Sequence, residues 1–185
     1  MKRVAIIGLG ESRTDFFKMS NIFKFHVTIG INDVGKYLFP DFLFVTDPPY
    51  IFSEERQETI INTCLVQKMY AVSAGWLGIK CKFPIEIIPT ESQNTENRGK
   101  FNLESLLYGF SFDSAFIAVQ IAFKEFKADQ IVLFGIDFKT HHLIEYIDEI
   151  KTHYKNLADE LLKNDCKLYV SSNYSLLSDV LPVFN

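Results

Sequence analysis

Short apolar runs, several of them ending at a glycine, an asparagine or an aspartate, alternate along this chain with stretches of helical periodicity. The first run, about residues 3–7, is apolar nearly throughout, as expected of a strand buried on both sheet faces. A second, about residues 25–31, stops at Asn32-Asp33. A third, residues 42–45, stops at Thr46-Asp47-Pro48-Pro49, where two prolines without backbone donors end the ladder. Further strands are predicted at about residues 69–72, 85–88, 131–135 and 167–170. Between them lie a polar helix over about residues 53–63 and an Ala-rich helix over about residues 113–126. A long helix follows, with Ile147, Ile150, Tyr154, Leu157 and Leu161 on one stripe, and a short closing helix spans about residues 175–180.

Strands and helices in alternation predict an α/β fold: a single Rossmann-like domain with a mostly parallel sheet and helices on both faces. At 185 residues the chain suffices for one core and shows no internal repeat or linker. Residues 91–102 are polar without periodicity and read as a loop, either a surface connection or a lid. The aromatic share of 15%, with 18 Phe, predicts a Phe-rich core. Segments 36–41 and 101–112 concentrate aromatics that core packing, an acceptor groove or a homo-oligomer contact would each account for.

Charge and cysteine usage narrow the class. A net charge of −4 is not that of a general nucleic-acid binder, which presents a basic face. No apolar run approaches the ~18 residues that span a bilayer, so no membrane span is expected. Cys64, Cys81 and Cys166 have no Cys-x-x-Cys spacing, and residue 1 leads directly into a strand without a signal-peptide pattern. Together these predict a reducing, cytoplasmic location. The four His and three Cys show no zinc-site spacing, and no P-loop motif is present.

Two strand exits carry the candidate chemistry. Ligands of open α/β sheets bind outside the carboxyl ends of the strands. One exit reads Gly8-Leu9-Gly10-Glu11-Ser12, where glycines let backbone amides approach a phosphate or ribose. The third glycine of a dinucleotide fingerprint is replaced by Arg13, although Asp33 lies near the distance of a ribose-binding acid. Ser12 suits a helix N-cap as well as a ligand. The other exit is Ile131-Val132-Leu133-Phe134-Gly135-Ile136-Asp137-Phe138. Asp47 and Asp137 would serve as Mg²⁺ ligands or as turn carboxylates, so a metal is optional in this reading.

These residues together resemble the bacterial sialyltransferases of glycosyltransferase family 42, and more broadly the hydroxymethylpterin pyrophosphokinase-like domains. Gly8-Leu9-Gly10-Glu11-Ser12 resembles the family's Gly-Asn-Gly-Pro-Ser loop, and Asn32 stands where the family has an Asn facing the nucleotide. Asp47-Pro48 matches its Asn-Pro, Ser114-Ala115 its Ser-Gly, and Gly135-Ile136-Asp137-Phe138 its Gly-Ile-Asp-Phe. The resemblance covers roughly residues 1–50 and 110–182. Three departures stand out: Leu9 for an Asn, Asp47 for an Asn, and Lys139 for a phosphate-binding Tyr.

The resemblance implies a nucleotide-sugar donor held by Gly8, Gly10, Ser12, Asn32, Asp47, Ser114, Gly135 and Asp137, with Lys139 toward the phosphate and an unidentified acceptor. It also implies a histidine as general base, since imidazole takes a proton near neutral pH. His141 and His142, just past the strand exit, are the candidates. His153 reads as a surface residue of the long helix, and His26 as a core or sheet-face residue. The alternatives are a Mg²⁺-dependent pyrophosphokinase-like enzyme and a catalytically silent nucleotide- or sugar-binding module.

Overall fold

The computed structural model describes residues 1–92, 94–139 and 142–185. The strands are β1 (Arg3–Ile7), β2 (Val27–Ile31), β3 (Phe42–Val45), β4 (Lys68–Ala71), β5 (Ile85–Ile87), β6 (Gln130–Phe134) and β7 (Lys167–Val170). They form one sheet in the order β5-β4-β3-β2-β1-β6-β7, parallel at every pairing. The chain steps outward from β1 to β5, then returns to lay β6 on the free side of β1. Strand order therefore reverses between β1 and β6, the place where such sheets open a crevice.

Side-chain alternation divides the interior into two layers. Val4 and Ile6 of β1 face one core together with α3 (Ser114–Lys124) and α4 (Ile147–Lys163). Ala5 and Ile7 face the other, with Phe52, Trp76, Phe184 and Ile60 of α2 (Glu54–Asn62). Phe16 of the short α1 (Asp15–Ser20) packs against this second core, edge to face with Phe134. Helices thus cover both faces, as the strand-helix alternation predicts.

Residues Ala115 to Ala122 of α3 are all buried, so this central helix is enclosed around its whole circumference and is apolar but for Gln120. It starts at Asp113, whose Oδ1 accepts the amides of Ala115 (2.9 Å) and Phe116 (3.2 Å). That N-cap relieves two of the helix's orphan donors. In contrast, α4 buries a single stripe: Ile150, His153, Tyr154, Leu157 and Leu161.

Two local expectations are corrected. His26 is exposed and precedes β2 rather than lying within it, because its ring Nδ1 and its own N–H both engage the Arg3 backbone (3.1 and 2.8 Å) before ladder pairing starts. The closing helix is a 3₁₀ turn, Leu176–Asp179, capped by Ser175 Oγ, which accepts the Leu177 amide. Beyond β7, the Pro182 carbonyl accepts the Val170 N–H, Phe184 donates back to Val170, and Val183 bridges Val170 in parallel.

Candidate functional site

A cavity of about 760 Å³ opens at the carboxyl ends of β1, β2, β3 and β6. Its walls include Gly8, Gly10, Asn32, Asp47, Ser114, Gly135, Asp137, Lys139 and His142. Nine sequence-predicted residues therefore converge on one space. Ser12 lies just behind the wall, and His141 lies outside the described residues.

The two legible strand exits bind each other. Ser12 donates its amide to Asp137 Oδ2 (2.9 Å) and its hydroxyl to Asp137 Oδ1, while Ser12 Oγ accepts the Gly135 amide (2.9 Å). Ser12 and Asp137 are both buried. Ser12 is accordingly not an N-cap; Gly10 precedes the 3₁₀ turn Glu11–Thr14. Nor does Asp137 cap neighbouring amides, since its partner lies 125 residues away. Gly10 has an ordinary φ of −65° and is required for space alone. A Cβ there would meet the Asp137 carboxylate and stand 2.8 Å from the Gly135 carbonyl oxygen.

Arg13, in place of a third glycine, folds back over the loop. Its guanidinium donates to the carbonyls of Leu9 (2.8 Å) and Gly10 (3.0 Å) and lies 4.1 Å from the Tyr37 ring centroid. Asp33 is equally committed: its Oδ1 accepts from Arg56 Nε (3.0 Å) and Nη2 (2.6 Å). Its Oδ1 is thereby held toward α2 by an ion pair.

The wall beneath α3 is different. Asn32 sits at the end of β2 with φ 54°, a left-handed conformation that Asn tolerates better than most side chains, and Phe138, four residues past β6, has φ 62°. Asn32 Oδ1 is buried with no hydrogen-bond partner among the described residues. Ser114 Oγ accepts the Thr46 hydroxyl (2.8 Å), joining the end of β3 to the start of α3. Asp47 is exposed at the rim, its carbonyl accepting from Trp76 Nε1 (2.8 Å).

Asp113 is the most perturbed group lining the cavity. Burial pushes its carboxyl up to about 6, against the pull of the Tyr154 hydroxyl and the two α3 amides. Although the residue as a whole keeps some exposure, Oδ2 is buried and unpartnered among the described residues.

The rim next to β6 and β7 carries charge. The Lys139 ammonium lies 4.0 Å from the Tyr174 ring centroid. Tyr174 bonds Glu11, which raises its hydroxyl pKa. His153, expected at the surface, is instead buried: its Nδ1 pairs with Ser111 Oγ (2.9 Å), and its ring stacks on Phe112 at 15°. Desolvation lowers its pKa, so the ring is neutral at pH 7.

No family model and no curated protein sequence matches this chain. Among solved structures it is similar to the sialyltransferase CstII from Campylobacter jejuni, solved in complex with a substrate analogue, CMP-3FNeuAc. The TM-score is 0.59 at 17% identity, over 99% of this chain and 85% of that one. The chain has a sialyltransferase-like fold.

The sialyltransferase-like fold brings together residues that sequence reasoning missed. Asp113 was legible only as an Asp before an apolar helix, a capping signal. Tyr174, from the turn after β7, reaches Lys139. Ser111 and Arg98 complete the cavity wall. Neither carries a local motif, since each is placed by long-range packing. No helix is long and apolar enough to cross a membrane among the described residues.

Proposed function

We propose that this chain is a transferase that takes a nucleotide-activated sugar as donor and binds it in the crevice between the β1 and β6 exits. The observation that carries the reading is the buried, unpaired Asn32 Oδ1 on the wall of a cavity at the switch point of a sialyltransferase-like fold. A buried acceptor without a donor costs stability that a ligand N–H or O–H recovers. The similar solved sialyltransferase was captured with a substrate analogue, CMP-3FNeuAc, which supports a nucleotide-sugar donor here.

In this reading the loop of Gly8, Leu9 and Gly10, backed by Ser12, forms a rigid floor, and Asn32 and Ser114 hold the nucleotide. Gly135 and Asp137 keep that floor in place. His142, on the cavity wall, takes the acceptor hydroxyl proton, with His141 beside it in sequence. The acceptor oxygen then bonds the anomeric carbon as the bond from that carbon to the phosphate oxygen breaks, and the electron pair stays on the phosphate. Lys139 meets that developing charge, and Asp47 stands at the rim. Positioning of donor and acceptor supplies much of the acceleration.

A Mg²⁺ ion held by Asp47 and Asp137 fits this donor set poorly. Both Asp137 oxygens already accept from Ser12, and no cluster of three or more His, Cys, Asp or Glu occurs among the described residues.

The test is calorimetric titration with nucleotides and nucleotide-sugars, with Mg²⁺ and with chelator, followed by donor turnover. Binding that survives chelation is expected. His142→Ala should lower turnover roughly 100-fold or more while leaving affinity within about twofold. Binding lost on chelation would favour the pyrophosphokinase-like reading. Binding without turnover in the unaltered protein would leave a silent module.

A further inference from the structure

Arg98 belongs to the polar stretch after β5 that sequence alone leaves as a connection or a lid, yet it lines the cavity. Its guanidinium lies 4.2 Å from the Phe112 ring centroid, and Phe112 stacks in turn on Tyr146 (4.6 Å, 20°). No ion pair within 4.0 Å engages Arg98 among the described residues, whereas Arg56, the other arginine of this cavity, is taken by Asp33. A guanidinium with its face on an aromatic ring keeps its edge N–H donors available for a planar or tetrahedral oxyanion.

The surroundings hold this arginine in place. The Gly99 amide donates to the Phe110 carbonyl (2.8 Å), and Gly109 and Gln120 exchange two hydrogen bonds (2.9 and 2.7 Å) that fix the adjoining segment to α3. Gly99 has φ 76°, and a Cβ there would fall within the His153 ring. A buried, neutral His153 thus packs directly under the residue next to Arg98. Its neutrality matters because an imidazolium at this place would repel the guanidinium. Arg98 itself contributes to the lowered His153 pKa, after desolvation.

We propose that Arg98 is a ligand-binding residue forming an oxyanion subsite, with Gly99 and His153 as its positioning residues. The subsite takes a phosphoryl or carboxylate group and is separate from the cation at Lys139. This inference rests on the cavity being the ligand site, as in the proposed function, but not on sugar transfer.

The experiment is titration of wild type, Arg98→Ala and Arg98→Lys with a nucleoside 5′-monophosphate, the uncharged nucleoside, inorganic pyrophosphate and glucuronate. Arg98→Ala should weaken its anionic ligand ~10- to 100-fold and leave the uncharged nucleoside unchanged. Arg98→Lys, which keeps charge but loses the fork, should fall between. A loss seen with pyrophosphate and the nucleotide assigns the subsite to phosphoryl groups; a loss confined to glucuronate assigns it to carboxylates. Gly99→Ala should reproduce part of either loss with Arg98 intact. Equal affinity of wild type and Arg98→Ala for every anion would overturn the proposal. Arg98-dependent binding of pyrophosphate without any nucleotide binding would remove the nucleotide-sugar reading and leave this one standing. A wild type that binds none of the four ligands removes both.

Discussion

Where β1 and β6 end, the polar groups satisfy one another: Ser12 with Asp137 and Gly135, Arg13 with the Leu9 and Gly10 carbonyls. Across the cavity, beneath α3, Asn32 Oδ1 and Asp113 Oδ2 are buried without partners among the described residues, and Arg98 lies on an aromatic ring with no ion-pair partner among them. The first wall resembles a completed joint. The second has polar capacity left over, which is what recognition of a ligand requires. The contrast separates residues that satisfy one another from those with polar capacity to spare, although both line one space.

Disrupting the joint should have the largest effect. Asp137→Ala leaves the Ser12 amide and hydroxyl buried without their acceptor, and a fall of ~3 kcal/mol or more in unfolding free energy is expected from urea denaturation. A change under ~1 kcal/mol would show that the joint is not what holds the floor.

The second wall should respond to pH. The folded Asp113 carboxyl titrates at about 6 against an ordinary 3.8, so folding favours its protonated form. Its contribution to stability is full below about pH 3.8 and is lost as pH rises through about 6. Relative to Asp113→Asn, which keeps a capping oxygen, wild type should therefore lose on the order of 3 kcal/mol between pH 4 and pH 7 in parallel denaturation series. Parallel curves for the two proteins would mean that Asp113 does not titrate in this range.

Asn32→Gly, which accepts the left-handed φ of 54° without strain, offers the smallest and sharpest contrast. Removing an unpaired acceptor should leave stability within ~1 kcal/mol, since no partner is orphaned, yet weaken nucleotide binding about tenfold, or ~1.4 kcal/mol. Calorimetric affinity beside a melting curve measures both, and an unchanged affinity would place Asn32 with the first wall.

The same contrast explains what was legible in the sequence. The parallel sheet could be read from its apolar runs, and the crevice from two strand exits, because close packing restricts residue choice there. Gly10 has no room for a Cβ, and Ser12 and Asp137 answer each other across 125 residues. Gly8, Gly10, Gly135 and Asp137 line the cavity and, with Ser12, also hold one another in place. Asp113, Ser111, Tyr174 and Arg98 carried no such signature. A capping aspartate looks the same whether or not its second oxygen is satisfied, and no local pattern foretells that residue 98 will reach a cavity bounded by residues 8, 32 and 137. His153 shows the same limit, since helical spacing alone does not tell a solvent-facing histidine from one covered by a neighbouring loop.

The segment at residues 182–184 also bears on how this sheet meets other polypeptides. An edge strand offers unpaired amides and carbonyls that a foreign strand can extend. At the end of β7 both backbone groups of Val170 are already occupied, by Pro182 and Phe184. Pro182 has no donor of its own to pass the ladder onward. Phe184 anchors the segment, buried against Phe23 and Tyr169. At the opposite edge β5 is only three residues long. One border is covered at its carboxyl end and the other is short, both of which disfavour edge-to-edge pairing with a foreign strand.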